Sequence, residues 1–169
     1  MAKVVRSSPP PKTSSSGYRE DLRKDFEYTC AYCGVTEKEF AKFDIEHYLP
    51  ATRFPNFEND YLNLLWACGV CNNDYKKDFY PGDGRLPRGY FFLRPDRFDY
   101  ERHYYLKGYE IKGITRVAKF NVDFLLLNRK PLVDMRFLRE ELAKQQQKIK
   151  ELTQTLGAIK LDDLPKDAK

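Results

Sequence analysis

Two Cys-x-x-Cys pairs, Cys30-Ala31-Tyr32-Cys33 and Cys68-Gly69-Val70-Cys71, hold all four cysteines of this chain. That spacing presents two thiolates from one tight turn, and two such turns supply the four sulfur ligands of a tetrahedral zinc site. Four thiolates close the coordination shell and leave no position for a substrate. Such a metal is structural and contributes folding energy. Two disulfides are the alternative use of four cysteines, and a reducing compartment disfavours them. Between the pairs stand Glu46-His47-Tyr48 and, further on, Asn63; Asn72 directly follows Cys71. A carboxylate and an amide oxygen are hard donors that suit magnesium or manganese, which keep their other positions for water and phosphate. An imidazole beside such an ion could take a proton from water, since its ordinary pKa lies at about 6.5. His47, one of two histidines, also has a plainer reading as a packed residue at a strand end.

Charge around this stretch is basic. Arg53, Lys76, Lys77 and Arg85 are candidate phosphate contacts, each equally readable as a solvated surface charge. The whole chain of 169 residues carries 30 Lys and Arg against 25 Asp and Glu, a net charge of +5 that is compatible with a polyanionic partner without requiring one. Twelve Tyr and 12 Phe could stack on bases or simply fill a core. No motif encodes readout of particular bases. His103 reads as part of a hairpin surface or core.

The elements that must position these groups follow from pattern. Residues 1–17 are rich in Ser, Pro and Lys and predict a disordered basic tail. A short helix is expected near Tyr18–Phe26. Alternation from Phe43 predicts a strand that Leu49-Pro50 ends, and Leu64-Leu65-Trp66-Ala67 predicts a second, buried strand. After Cys71, Asn72-Asn73-Asp74 suits the first turn of a helix, stopped by Pro81-Gly82-Asp83-Gly84. Residues 88–116 suggest one or two hairpins from Tyr90–Leu93, Tyr104–Leu106 and Tyr109–Ile111. Val122–Leu127 is a further apolar segment. A long helix is expected from Pro131. Met135, Leu138, Leu142, Ile149, Leu152 and Leu156 recur at spacings of three and four with Gln145 in the remaining slot. That seam fits a helix packed on its own domain, or an exposed helix docking on another chain. Residues 161–169 read as a frayed polar end.

The fold class expected is α+β: a small metal-binding core, a β-hairpin insertion and a long C-terminal helix. Its division is a tail over 1–17, a core domain over 18–128 and a C-terminal arm over 129–169. No apolar run reaches the roughly 18 residues that span a bilayer. The first residues lack the hydrophobic stretch of a secretory signal, so the expected location is the cytoplasm.

The motif order Cys-x-x-Cys, Ile45-Glu46-His47-Tyr48-Leu49-Pro50, Asn63-Leu64-Leu65-Trp66-Ala67-Cys68-x-x-Cys71-Asn72 resembles the zinc-containing HNH (ββα-metal) endonucleases, over about residues 28–80. The resemblance implies that His47 is the general base and that Glu46 and Asn72 hold a catalytic Mg2+ or Mn2+. It implies further that Asn63 braces the loop and orients His47, that Cys30, Cys33, Cys68 and Cys71 hold structural Zn2+, and that DNA phosphodiester bonds are hydrolysed. Glu46 departs from the aspartate usual in that family, which moves the carboxylate by one methylene. Val122-Asp123-Phe124-Leu125-Leu126-Leu127-Asn128-Arg129, with Leu132 and Arg136, is similar to the segment that trails the core in prokaryotic anti-phage defence nucleases, including the Septu type. That similarity implies a partner ATPase, or else a homodimer, contacted through the C-terminal helix. The alternative is a non-catalytic zinc module that binds nucleic acid or protein.

Overall fold

Strands β1 (Phe43–His47) and β2 (Leu64–Cys68) pair antiparallel at the centre of the computed structural model, which describes residues 3–40 and 42–158. All five residues of β2 are buried, as an uninterrupted Leu-Leu-Trp-Ala-Cys run requires. The register sets Phe43 against Cys68, Ile45 against Trp66 and His47 against Leu64. The cysteines therefore lie at one end of this ribbon and His47 at the other. Phe43 stacks on Trp66 with ring centroids 5.7 Å apart, and the indole Nε1 donates to Glu37 Oε1 at 2.8 Å.

A short helix, Val70–Lys76, follows β2 at once and runs back toward His47. It is wound wider than an α-helix: the Lys77 N–H bonds the carbonyl of Asn72, five residues back, at 2.8 Å. Helix α1 (Arg19–Asp25) packs Leu22 into the same core. Strands β3 (Tyr104–Lys107) and β4 (Glu110–Gly113) form a separate hairpin. Helix α2 (Arg116–Phe124), capped by the Thr115 hydroxyl, lies over that hairpin. Its backbone comes so close that a Cβ on Gly113 would sit 2.4 Å from the Lys119 nitrogen, so only glycine fits there. Helix α3 (Lys130–Ala158) starts on the core and runs well past it.

The α+β class, the two small sheets and the long C-terminal helix agree with the sequence. Two local expectations do not. Tyr90–Leu93 is not a strand; Asn121 stands in for a neighbouring strand, accepting from Leu93 N–H at 2.8 Å and donating to Phe91 O at 2.8 Å. The apolar Val122–Leu127 segment, to which the sequence assigns no element, belongs largely to α2 and the turn after it. From Lys3 onward the expected disordered tail lies along the domain. Val4 N–H bonds Pro95 O, and the Arg6 guanidinium donates to the carbonyls of Leu64 at 2.9 Å and Tyr61 at 2.6 Å. Arg6 also pairs with Asp25 and Asp96, both at 3.3 Å. A serine- and proline-rich segment held by one buried arginine shows no hydrophobic pattern from which docking could be read. The expected fraying over 161–169 falls outside the described residues.

Candidate active site beside a buried cysteine cluster

All four cysteines are buried and unpaired, and their sulfurs lie within 4.8 Å of one another. Cys33 Sγ and Cys68 Sγ are 3.7 Å apart. Zinc–sulfur bonds of about 2.3 Å give a tetrahedron whose edges are about 3.8 Å, whereas a disulfide needs about 2 Å. The spacing fits one thiolate-bound metal such as zinc. Burial pushes the Cys30 thiol well above its ordinary pKa, a cost that a bound cation offsets. Three arginines, at the start of α3 and in the turn before it, tie that helix to this centre. Arg129 Nη2 reaches Cys71 Sγ at 3.8 Å, Arg136 donates to the carbonyls of Tyr109 and Leu127, and Arg139 bonds Gly34 O at 2.7 Å and pairs with Glu39. Arg129 and Arg136 belong to a segment already singled out in the sequence; Arg139 was missed, and its place three residues after Arg136 on the same helix is the signal that could have found it.

At the other end of the ribbon, Glu46, His47, Asn72, Asn73 and Lys77 line a cleft of about 350 Å³ whose far wall is Pro50, Ala51 and Thr52. The residues meet there because the Val70–Lys76 helix returns from the cysteine end of the ribbon. His47 Nε2 lies 3.0 Å from the carbonyl oxygen of Glu58. A carbonyl can only accept, so Nε2 carries the proton in the neutral ring and Nδ1 keeps its lone pair.

Asn63, buried behind the loop, spends its whole amide on the backbone. Oδ1 accepts from Leu49 N–H at 2.8 Å, and Nδ2 donates to Leu49 O and Phe57 O, both at 3.0 Å. It does not touch His47. It fixes Phe57, whose neighbour Glu58 holds the imidazole.

Glu46 is the residue whose surroundings differ most from expectation. Its carboxylate is buried, with Oε1 at 2.6 Å from Lys76 Nζ and 3.2 Å from the Tyr32 hydroxyl. Burial pushes it up to about 7 despite the opposing pull of Lys76. Lys76 is fully buried and also donates to the carbonyl of His47 at 2.7 Å. The expectation that Lys76 contacts phosphate is thereby corrected: the wide helix turn carries its ammonium into the core, where it neutralises Glu46. Arg53 and Lys77 are exposed, and Lys77 borders the cleft. Arg85 is half-exposed but engaged, at 2.6 Å from Asp83 and 3.2 Å from Asp78. His103 is remote from the cleft, with Nδ1 at 3.0 Å from the Thr115 hydroxyl.

Among the described residues, the four cysteines are the one group of three or more His, Cys, Asp or Glu side chains close enough to share an ion. The cleft offers a sparse hard-oxygen set, the Glu46 and Asp78 carboxylates and the Asn72 and Asn73 amides, with Glu46 already paired to Lys76. It fits a divalent ion that keeps most of its coordination for water and phosphate, not a tightly caged one. No helix among the described residues is long and apolar enough to cross a membrane.

No protein-family model matches the chain. Over 106 residues it is 32% identical to the Septu protein PtuB of Bacillus thuringiensis, an alignment that covers 59% of this chain and 37% of that protein. The chain thus spans little more than a third of the length of that relative.

Proposed function

We propose that this chain is a metal-dependent HNH-type endonuclease that hydrolyses DNA phosphodiester bonds as part of a Septu-like anti-phage defence system, working with a partner ATPase. The observation that carries the proposal is the state of His47. Its Nε2–H is committed to the Glu58 carbonyl, so the Nδ1 lone pair is the ring's proton acceptor, in a cleft shared with Glu46 and Asn72.

In this reading His47 takes a proton from the attacking water, and the Asn63-braced loop keeps the ring oriented. Glu46 and Asn72 would hold Mg2+ or Mn2+, which supplies charge to offset that developing on the leaving oxygen. Lys77 and Arg53, exposed around the cleft, position the phosphate backbone. Zinc on the four cysteines fixes the far end of the ribbon, and so the angle at which the short helix delivers Asn72. The similarity to PtuB supports the defence setting. Each cleft cuts one strand, so nicking is the expected elementary product.

One observation favours a second reading, a non-catalytic zinc module: Lys76 already neutralises the Glu46 carboxylate. Supercoiled plasmid incubated with wild type, His47→Ala and Asn72→Ala in Mg2+ or Mn2+ separates the two. The nuclease reading expects relaxed circles from wild type and loss of that product in both variants. Plasmid that stays supercoiled with all three proteins, in the presence of the partner, leaves the zinc module.

A further inference from the structure

Beyond its first two turns, α3 carries a narrow apolar stripe that the chain's own domain does not cover. Leu138, Leu142, Ile149, Leu152 and Leu156 are exposed by 50%, 56%, 62%, 54% and 68%. With Met135 and Gln145 they occupy every first and fourth position of a heptad repeat, so the period is 3.5 residues. The flanking positions Arg139, Glu141, Gln146, Lys148, Thr153 and Thr155 hold no apolar residue. A stripe only two residues wide per heptad is the seam of a coiled coil; a helix lying on a globular surface needs a broader face.

We propose that α3 pairs in parallel and in register with α3 of a second copy of this chain. Three features select a second copy over another occupant. Gln145 lies alone at a fourth (d) position, and a parallel in-register pair sets it against its own equivalent, where two amides hydrogen-bond each other. An antiparallel pair sets each amide against Leu142 or Ile149 and leaves it buried without a partner. Leucine at the fourth positions 138 and 152, with β-branched Ile149 at one of the four first (a) positions and Met135, Leu142 and Leu156 at the others, suits a parallel two-stranded coil around the Gln145 layer. Self-pairing also brings no like charges together: Glu141 meets Gln146 of the second copy, and Lys148 meets Thr153. The seam from Leu138 to Leu156 is about 27 Å long. Parallel pairing brings both zinc-bearing domains to the same end of the coil. This inference does not depend on the nuclease reading.

Sedimentation equilibrium of the full zinc-loaded chain, from about 1 to 100 µM, tests it. The expected result is a dimer that Leu152→Asp weakens at least 100-fold, while Gln147→Asp on the outer face has no effect and zinc content stays at wild-type level in both. A nitroxide at position 154 of each copy reads direction: parallel pairing sets the labels side by side, and antiparallel pairing with Gln145 against Leu142 or Ile149 sets them about 20–30 Å apart along the axis. A monomer throughout, a dimer indifferent to Leu152→Asp, widely separated labels, or association only with the helix of a different protein each overturns the proposal.

Discussion

Replacing Lys76 by methionine isolates the interaction on which the cleft is built. Methionine keeps most of the side-chain volume but removes an ammonium that lies 2.6 Å from Glu46 Oε1 and 2.7 Å from the His47 carbonyl, at a site with no solvent exposure. Glu46 is then buried with only the Tyr32 hydroxyl beside it. Breaking a buried pair from one side costs about 3–5 kcal/mol, because the remaining charge loses its partner and cannot return to water. Neutralising the survivor removes most of that penalty. Lys76→Met combined with Glu46→Gln should therefore be more stable than Lys76→Met alone by about 2 kcal/mol or more. Urea unfolding of the zinc-loaded proteins measures both, provided the slope with denaturant is unchanged. If Lys76→Met lies within about 0.5 kcal/mol of wild type, the ammonium is not the partner of Glu46 and the description of the cleft is wrong.

Three further outcomes follow from the same geometry. The purified chain should contain one zinc, and a strong chelator or Cys33→Ser should abolish the native circular dichroism signal, because the thiolates close a site at the end of the central ribbon. Glu46 binds its proton more tightly folded (about 7) than unfolded, mainly through burial. Its contribution to stability therefore falls as pH rises from about 4.5 to 7; from pH 5.5 to 8, without added divalent ions, wild type should lose about 2 kcal/mol relative to Glu46→Gln. Gly113→Ala should destabilise by about 1–3 kcal/mol in thermal melts, because the new methyl meets the backbone of Ala118 and Lys119, which cannot turn aside.

The four-cysteine cluster, the central pair of strands and the long helix were legible because each is encoded locally, by Cys-x-x-Cys spacing, a short buried apolar run and a heptad period. Asn63 was legible as a brace, although its action through Phe57 and Glu58 depends on how the loop folds back. Lys76 was not legible. It stands beside Lys77 in a polar stretch, and only the wide turn of the short helix aims one inward and the other out. Arg6 and Asn121 were missed for a related reason. Each satisfies backbone groups far away in the chain, Arg6 on Tyr61 and Leu64, Asn121 on Phe91 and Leu93, and such pairings have no period or motif. Glu46 was assigned to a metal by its place beside His47, while its burial and its ion pair emerge only from packing.

The central claim is that His47 is the base of a cleft whose geometry the zinc centre sets. The most direct test is the single-turnover rate of plasmid nicking by zinc-loaded protein in Mn2+, with and without His47→Ala, in samples matched for zinc content and DNA retention. His47 is half-exposed and its ring makes one hydrogen bond, so the substitution should leave folding intact. The account expects the rate to fall by about 10²–10⁴ with DNA retention unchanged. Equal rates for the two proteins, or DNA bound but uncut by both, would contradict it.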